Sequence, residues 1–145
     1  MLEDLKSEVM REESPEGFNE DWFSSVSSVK ILGEEEDGRI EGLEGPRSIC
    51  SSNGIESSDI VLVPLEDGDR CEALVSLGKK VIAIDLNPLS RTARTATVTI
   101  VDEVIRASRK LVSDALLIDE DLHDWDNEAG LREALEIMGS AMSRV

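Results

Sequence analysis

The residues of this 145-residue chain whose types and spacing could do chemistry fall into two clusters. The first is Asp67-Gly68-Asp69-Arg70, and the second is Asp85-Leu86-Asn87 with Arg91 shortly after it. Carboxylates and guanidinium groups beside a glycine can hold a charged ligand or its counterion. Asp and Gly are equally at home in plain turns, so composition alone leaves a binding loop and a simple turn both open.

The flanking elements put the clusters in a telling place. Ile60 to Val63 is an unbroken apolar run, which suits a strand buried on both faces of a parallel sheet. Pro64 cannot donate to a ladder and should end it. Ala73, Leu74 and Leu77 mark a short helix, Gly78 sits where a C′ residue belongs, and Lys79 and Lys80 suit the negative end of that helix. Val81 to Ile84 is a second strand, Asp85 stands at its end, and Asn87-Pro88 breaks the chain. In this β-α-β unit both clusters follow strand C-termini, where open α/β sheets bind ligands. Ser90 should cap a short helix through Ala96, and Thr97 to Val101 is a β-branched third strand. Asp102 should cap the next helix, and Asn127 a final one over 128–144.

The expected fold is therefore α/β: Rossmann-like and three-layered, with a small parallel sheet flanked by helices. Its three strands lie near 59–63, 81–84 and 97–101, with Ile60, Val61, Leu62, Val63, Val81, Ile82, Ile84, Val98 and Ile100 buried. The domain plan is an N-terminal helical segment with an edge strand over 1–32, a long loop over 33–58, and a nucleotide-binding core with a C-terminal helix over 59–145. Within the first segment, Leu2, Leu5 and Val9 form a thin helical stripe, Glu20 to Val29 a second short helix, and Val29 to Leu32 the edge strand. Gly33 to Gly38 has the outline of a phosphate loop. It fails as one, because Arg39-Ile40 replaces the Lys-Ser/Thr pair and three glutamates crowd its centre.

The phrases Val63-Pro64-Leu65-Glu66-Asp67-Gly68-Asp69-Arg70 and Asp85-Leu86-Asn87-Pro88-Leu89-Ser90-Arg91 resemble the signature of archaeal phosphopantothenate synthetase, also called 4-phosphopantoate–β-alanine ligase. Thr99 to Asp102 and Asp126-Asn127 fit as well, and the resemblance covers roughly Ile31 onward. Cys71 departs from it, standing where Thr is expected. The resemblance implies a ligase that joins 4-phosphopantoate to β-alanine at the expense of ATP in coenzyme A synthesis, through an acyl-adenylate. Such chemistry needs placement, and positive charge at the crowded α-phosphate, more than a protein nucleophile. Arg70 and Arg91 are the candidates for that charge, because guanidinium groups take phosphate oxygens bidentately. Asp67, Gly68, Asp69, Arg70, Cys71, Asp85, Leu86, Asn87 and Arg91 are expected to line the ATP site. In that site Gly68 lets backbone approach the nucleotide, Asp85 holds ribose hydroxyls, Asn87 orients the nucleotide, and Asp67 or Asp69 holds magnesium through water. No direct protein metal site is expected.

Charge agrees with a phosphorylated ligand. The chain carries 32 acidic and 15 basic residues, net −17, which argues against non-specific nucleic-acid or anionic-membrane binding. Residues 70–96 nonetheless hold five bases against two acids, or +3, leaving −20 for the rest. Cys50 and Cys71 are the only cysteines, no signal pattern opens the chain, and no apolar stretch nears the roughly 20 residues of a membrane span. These point to a reduced cytoplasmic setting. One histidine, His123, in an acidic stretch argues against Ser-His-Asp or zinc chemistry. Asp119, Asp121, Asp124 and Asp126 lack the Gly and Glu of a calcium loop and read as a solvated face.

Enzymes of the resembled family carry a His-, Gly- and Arg-rich stretch before the matched region, and the acidic segment from Met1 onward has no counterpart of it. The expectation is a fragment of a longer ligase, a chain working with a separately encoded N-terminal half or as a homodimer, or a non-catalytic nucleotide-binding module.

Overall fold

The computed structural model describes residues 32, 35–114 and 125–142. The chain divides into two units, 1–34 and 35–145, and the architecture here is that of the second. The helices and edge strand expected within 1–32, and the acidic stretch with His123, lie outside the described residues.

The second unit opens with two short strands, β1 (Gly38–Arg39) and β2 (Ile49–Cys50), paired antiparallel. A 3-10 turn, Gly45–Ser48, joins them, and an irregular turn, Ser52–Glu56, follows. Within the segment read as a long loop, the described residues 35–58 thus form a flap of short strands and turns fastened to the core. Ile40 and Cys50 are buried in the central cluster. Lys79 ties the flap down by donating Nζ to the carbonyls of Glu56 and Ser58, both at 2.7 Å.

The core runs β3 (Ile60–Val63), α1 (Gly68–Ser76), β4 (Lys80–Ile84), α2 (Arg91–Thr95), β5 (Val98–Ile100), α3 (Val104–Asp114) and α4 (Asn127–Met142). Strands β3, β4 and β5 form a parallel sheet in that order, with Val61 opposite Val81 and Ala83 opposite Thr99. This is the α/β, Rossmann-like arrangement of a small parallel sheet flanked by helices. Helix α1 ends on Gly78 at φ 81°, with Gly78 N–H donating to the Val75 carbonyl and Lys79 N–H to that of Leu74. That is the paired bonding of a Schellman turn, which needs a residue without a Cβ penalty at C′.

Burial of the strands is one-sided. Val63, Val81, Ala83 and Thr99 are buried with Cys71 and Leu74 of α1 and Ala93 and Ala96 of α2 and its end. On the alternate positions Ile60 is 61% and Leu62 48% exposed, while Ile82, Val98 and Ile100 are half-buried. Of the nine residues expected inside, Val63 and Val81 are buried on the covered face, and Ile84 is the exception, buried among the alternate positions at the end of β4. The cause is topological: α1 and α2 pack on each other and on one face of the sheet, and side chains alternate between faces along a strand.

Two helix caps differ by one residue from expectation. Glu103, not Asp102, starts α3: its carbonyl accepts from Ala107 N–H, and its carboxylate accepts from Ile105 N–H at 2.8 Å and Arg106 N–H at 3.1 Å. Those bonds, led by the one from Ile105, hold the Glu103 carboxyl below its ordinary range. Asp126, not Asn127, caps α4 through Ala129 N–H. Asn127 instead pins α4 to the sheet: Oδ1 accepts from Thr99 N–H at 2.7 Å and Nδ2 donates to the Ala93 carbonyl at 2.9 Å.

Candidate functional site

Strands β3 and β4 are parallel and adjacent, so the loops after them open at one end of the sheet. Asp67 follows β3 and caps α1: its carboxylate accepts from Arg70 N–H at 3.1 Å, and its carbonyl from Cys71 N–H at 2.9 Å. Asp67's own N–H donates to the hydroxyl of Thr92, which is fully buried on α2, at 3.0 Å. The two signature loops are therefore joined through a hydroxyl that sequence reading did not single out.

The charged side chains gather at the start of α1. Arg91 pairs with Asp69, and Arg47, from the 3-10 turn of the flap, pairs with Asp67 and donates Nη1 to Asp69 at 2.8 Å. Arg70 donates Nη2 to the Arg47 carbonyl at 2.9 Å, and its Nε is buried without a hydrogen-bond partner. Hydrogen bonds from Arg91, then Arg47, hold the Asp69 carboxyl below the ordinary carboxylate range. A Cβ on Gly68 would lie 2.4 Å from Arg91 Nε, so this glycine makes room for the Arg91 guanidinium.

The second loop is built from local bonds. Asp85 accepts from Asn87 N–H at 2.9 Å and from the Ser90 hydroxyl at 2.5 Å, and Asn87 Oδ1 accepts from Leu89 N–H at 3.0 Å. Ser90 Oγ in turn caps α2 through Ala93 N–H at 2.9 Å. Leu86 and Leu89 are exposed. Beside this loop lies a cleft of about 320 Å³, apolar on Leu65, Ile84, Leu86 and Val104 and acidic at Glu66, Asp85, Asp102 and Glu103. A larger cavity, about 660 Å³, adjoins Arg47 and Asp69 on the outer side of α1, walled by Glu41, Glu44 and Glu72.

Asp67, Gly68, Asp69, Arg70 and Arg91 thus come together, and Asp85 and Leu86 line the neighbouring cleft, while Asn87 is held in the loop beside it and does not line it. The Cys71 side chain does not join them. It is fully buried, with Sγ 3.7 Å from the Thr92 carbonyl, and burial pushes its thiol up to about 11. Asp67 and Asp69 offer magnesium no preformed carboxylate pair, since both face arginines. Among the described residues no three His, Cys, Asp or Glu side chains gather as a metal site, and no helix is long and apolar enough to cross a membrane.

The family of phosphopantothenate/pantothenate synthetases matches residues 11–140. The chain belongs to that family. Proteins named 4-phosphopantoate–β-alanine ligase are similar to it. The one from Thermococcus kodakarensis is 49% identical over 111 residues, spanning 77% of this chain and 40% of that protein. The one from Methanosarcina mazei is 45% identical over 121 residues, 78% of this chain and 47% of the relative. The one from Methanospirillum hungatei is 56% identical over 108 residues, 71% and 44% respectively. This synthetase-family chain thus spans under half the length of those relatives. Its match region contains both signature loops and Thr92. Arg47 belongs to no phrase the sequence reading used. Its signal is only a lone arginine after Pro46 in a glycine-rich segment.

Proposed function

We propose that this chain is the nucleotide-binding part of an ATP-dependent ligase that joins 4-phosphopantoate to β-alanine, giving 4′-phosphopantothenate, AMP and pyrophosphate for coenzyme A synthesis. The observation that supports this most is the meeting of the two strand-end loops, through Asp67–Thr92 and Asp69–Arg91, in a chain about half identical to proteins bearing that name.

In the acyl-adenylate route a carboxylate oxygen of phosphopantoate attacks the α-phosphorus of ATP, and the bond to pyrophosphate breaks. The amine of β-alanine then attacks the acyl carbon, loses a proton as the amide forms, and AMP leaves. Arg70 and Arg91 stabilise the charge that builds on the α-phosphate, where preorganised donors act most strongly. Gly68 keeps the Arg91 guanidinium against the start of α1. The adenosine end takes the cleft at Leu65 and Leu86, with Asp85 beside the ribose and Asn87 next to Asp85 in the same loop. Asp85 is already committed within its loop, so it offers the ribose its remaining lone pairs. Magnesium enters as the counterion of ATP.

Orientation and water exclusion supply much of such catalysis, and the relatives are more than twice as long as the matched region. The chain therefore binds Mg·ATP by itself and turns over when the remaining part is supplied, by a separate polypeptide, a longer chain or a second copy. The setting is cytoplasmic. The partial span also favours a second reading, a nucleotide-binding module without catalysis.

Calorimetry with Mg·ATP, and pyrophosphate release with phosphopantoate and β-alanine, test this. The expected result is ATP binding with little or no release from residues 1–145 alone, and release once the complementary portion of a relative is added. Absence of ATP binding sinks the nucleotide reading. Binding without release even in the reconstituted mixture selects the non-catalytic module.

A further inference from the structure

Three guanidinium groups meet at the start of α1, and only two come from the signature loops. The third is Arg47, on the 3-10 turn 45–48, which Pro46 opens and the Ser48 hydroxyl braces by donating to the Gly45 carbonyl at 2.7 Å. Arg47 reaches both aspartates of the first loop, and its carbonyl accepts from Arg70. Within the cluster two carboxylates are thus shared among three arginines, with Arg70 only loosely paired to Asp67.

Arg47 and Arg91 side chains are 51% and 57% exposed. Ion pairs so open to water are weak, so trading an aspartate oxygen for a ligand oxygen costs little. A phosphate chain carries more charge and more acceptor oxygens than an aspartate and suits the planar guanidinium fork. Glu41, Glu44 and Glu72 wall the cavity next to Arg47, and their like charge keeps an anion on the arginine side.

We infer that Arg47 is the third arm of an arginine cradle that holds the phosphate chain of the nucleotide, supplied by the flap rather than by either signature loop. This rests on the nucleotide reading above. The rival role for Arg47 is a plain fastener of the flap to α1.

The test titrates the chain with Mg·ATP, AMP and inorganic tripolyphosphate at fixed ionic strength, for wild type, Arg47→Gln and Arg47→Lys, with melting temperatures alongside. Arg47→Gln should weaken Mg·ATP and tripolyphosphate about tenfold, the loss of one charged hydrogen bond, and leave AMP nearly unchanged. Arg47→Lys should restore part of the loss, because an ammonium keeps the charge but not the fork. Should Arg47→Gln melt early, Arg47→Lys carries the same comparison. Equal weakening of AMP and ATP, or unchanged ATP and tripolyphosphate affinity, overturns the inference. Arg47-dependent tripolyphosphate binding with no tighter hold on Mg·ATP keeps the cradle and removes the nucleotide reading. Wild type binding neither removes both.

Discussion

The loops after β3 and β4 open side by side, yet different forces shape them. The first has a local cap at Asp67, but its charged side chains are held by ion pairs between residues far apart in sequence: Arg47 with Asp67 and Asp69, and Arg91 with Asp69. The second is held by bonds spanning two to five residues, among Asp85, Asn87, Leu89 and Ser90. Local bonds hold the second loop within its own stretch of chain. Exposed pairs give the first a shape that a charged ligand can rearrange at little cost. On the proposed reading one loop is a template and the other a receptor, and the buried Thr92 hydroxyl joins them.

The sharpest break in that contrast is expected at the arginines. Arg70→Ala or Arg91→Ala should weaken Mg·ATP by about 1.5–3 kcal/mol if each makes a charged hydrogen bond. Calorimetry finding unchanged affinity in both variants would take them out of the site. Raised salt should weaken binding further, because the guanidinium groups are open to screening.

On the template side, Ser90→Ala removes the cap of α2 and a partner of Asp85 together. A loss of about 1–2 kcal/mol in unfolding free energy is expected, read by urea denaturation. Undiminished stability would show that the second loop does not depend on its own bonds.

Acid should act on the receptor loop and on the cap of α3. The folded Asp69 and Glu103 carboxyls titrate below their ordinary ranges, through arginine partners in one case and backbone N–H groups in the other. Their contribution is fully present above the unfolded values, near about 4, and is lost as pH falls through the lower folded ones. Melting temperatures from pH 6 to 3 should decline, and less steeply in Asp69→Asn. Identical profiles would mean that the Asp69 pairs add nothing.

The smallest effect is expected at Cys71. With its thiol raised to about 11 from 9.0 by burial, the neutral form is favoured in the fold. That contribution is complete below pH 9.0 and is lost as pH rises through about 11. Native Cys71 should resist thiol reagents at pH 8, and Cys71→Thr should change stability by no more than about 1.5 kcal/mol, because the new hydroxyl can donate to the Thr92 carbonyl that Sγ now faces. Rapid native labelling would contradict the buried position.

Much of this was legible in the chain itself. Apolar, β-branched runs marked the three strands, Gly78 the end of α1 and Ser90 the cap of α2, because each depends on backbone preferences within a few residues. The two polar clusters were legible for the same reason, as both follow strands. What the sequence did not disclose depends on contacts across the fold. The one-sided cover of the sheet left Ile60 and Leu62 exposed, which their apolar run could not show. Asn127 reads as a cap, but Thr99 and Ala93, 28 and 34 residues away, recruit it instead. Cys71 lies within the signature region but turns into the core because α2 packs over that side of α1. Arg47 joins the site across 20 residues and more, with no local pattern to announce it. A local hydrogen bond is settled by the residues around it, whereas a long-range ion pair is settled only when the chain has crossed back on itself.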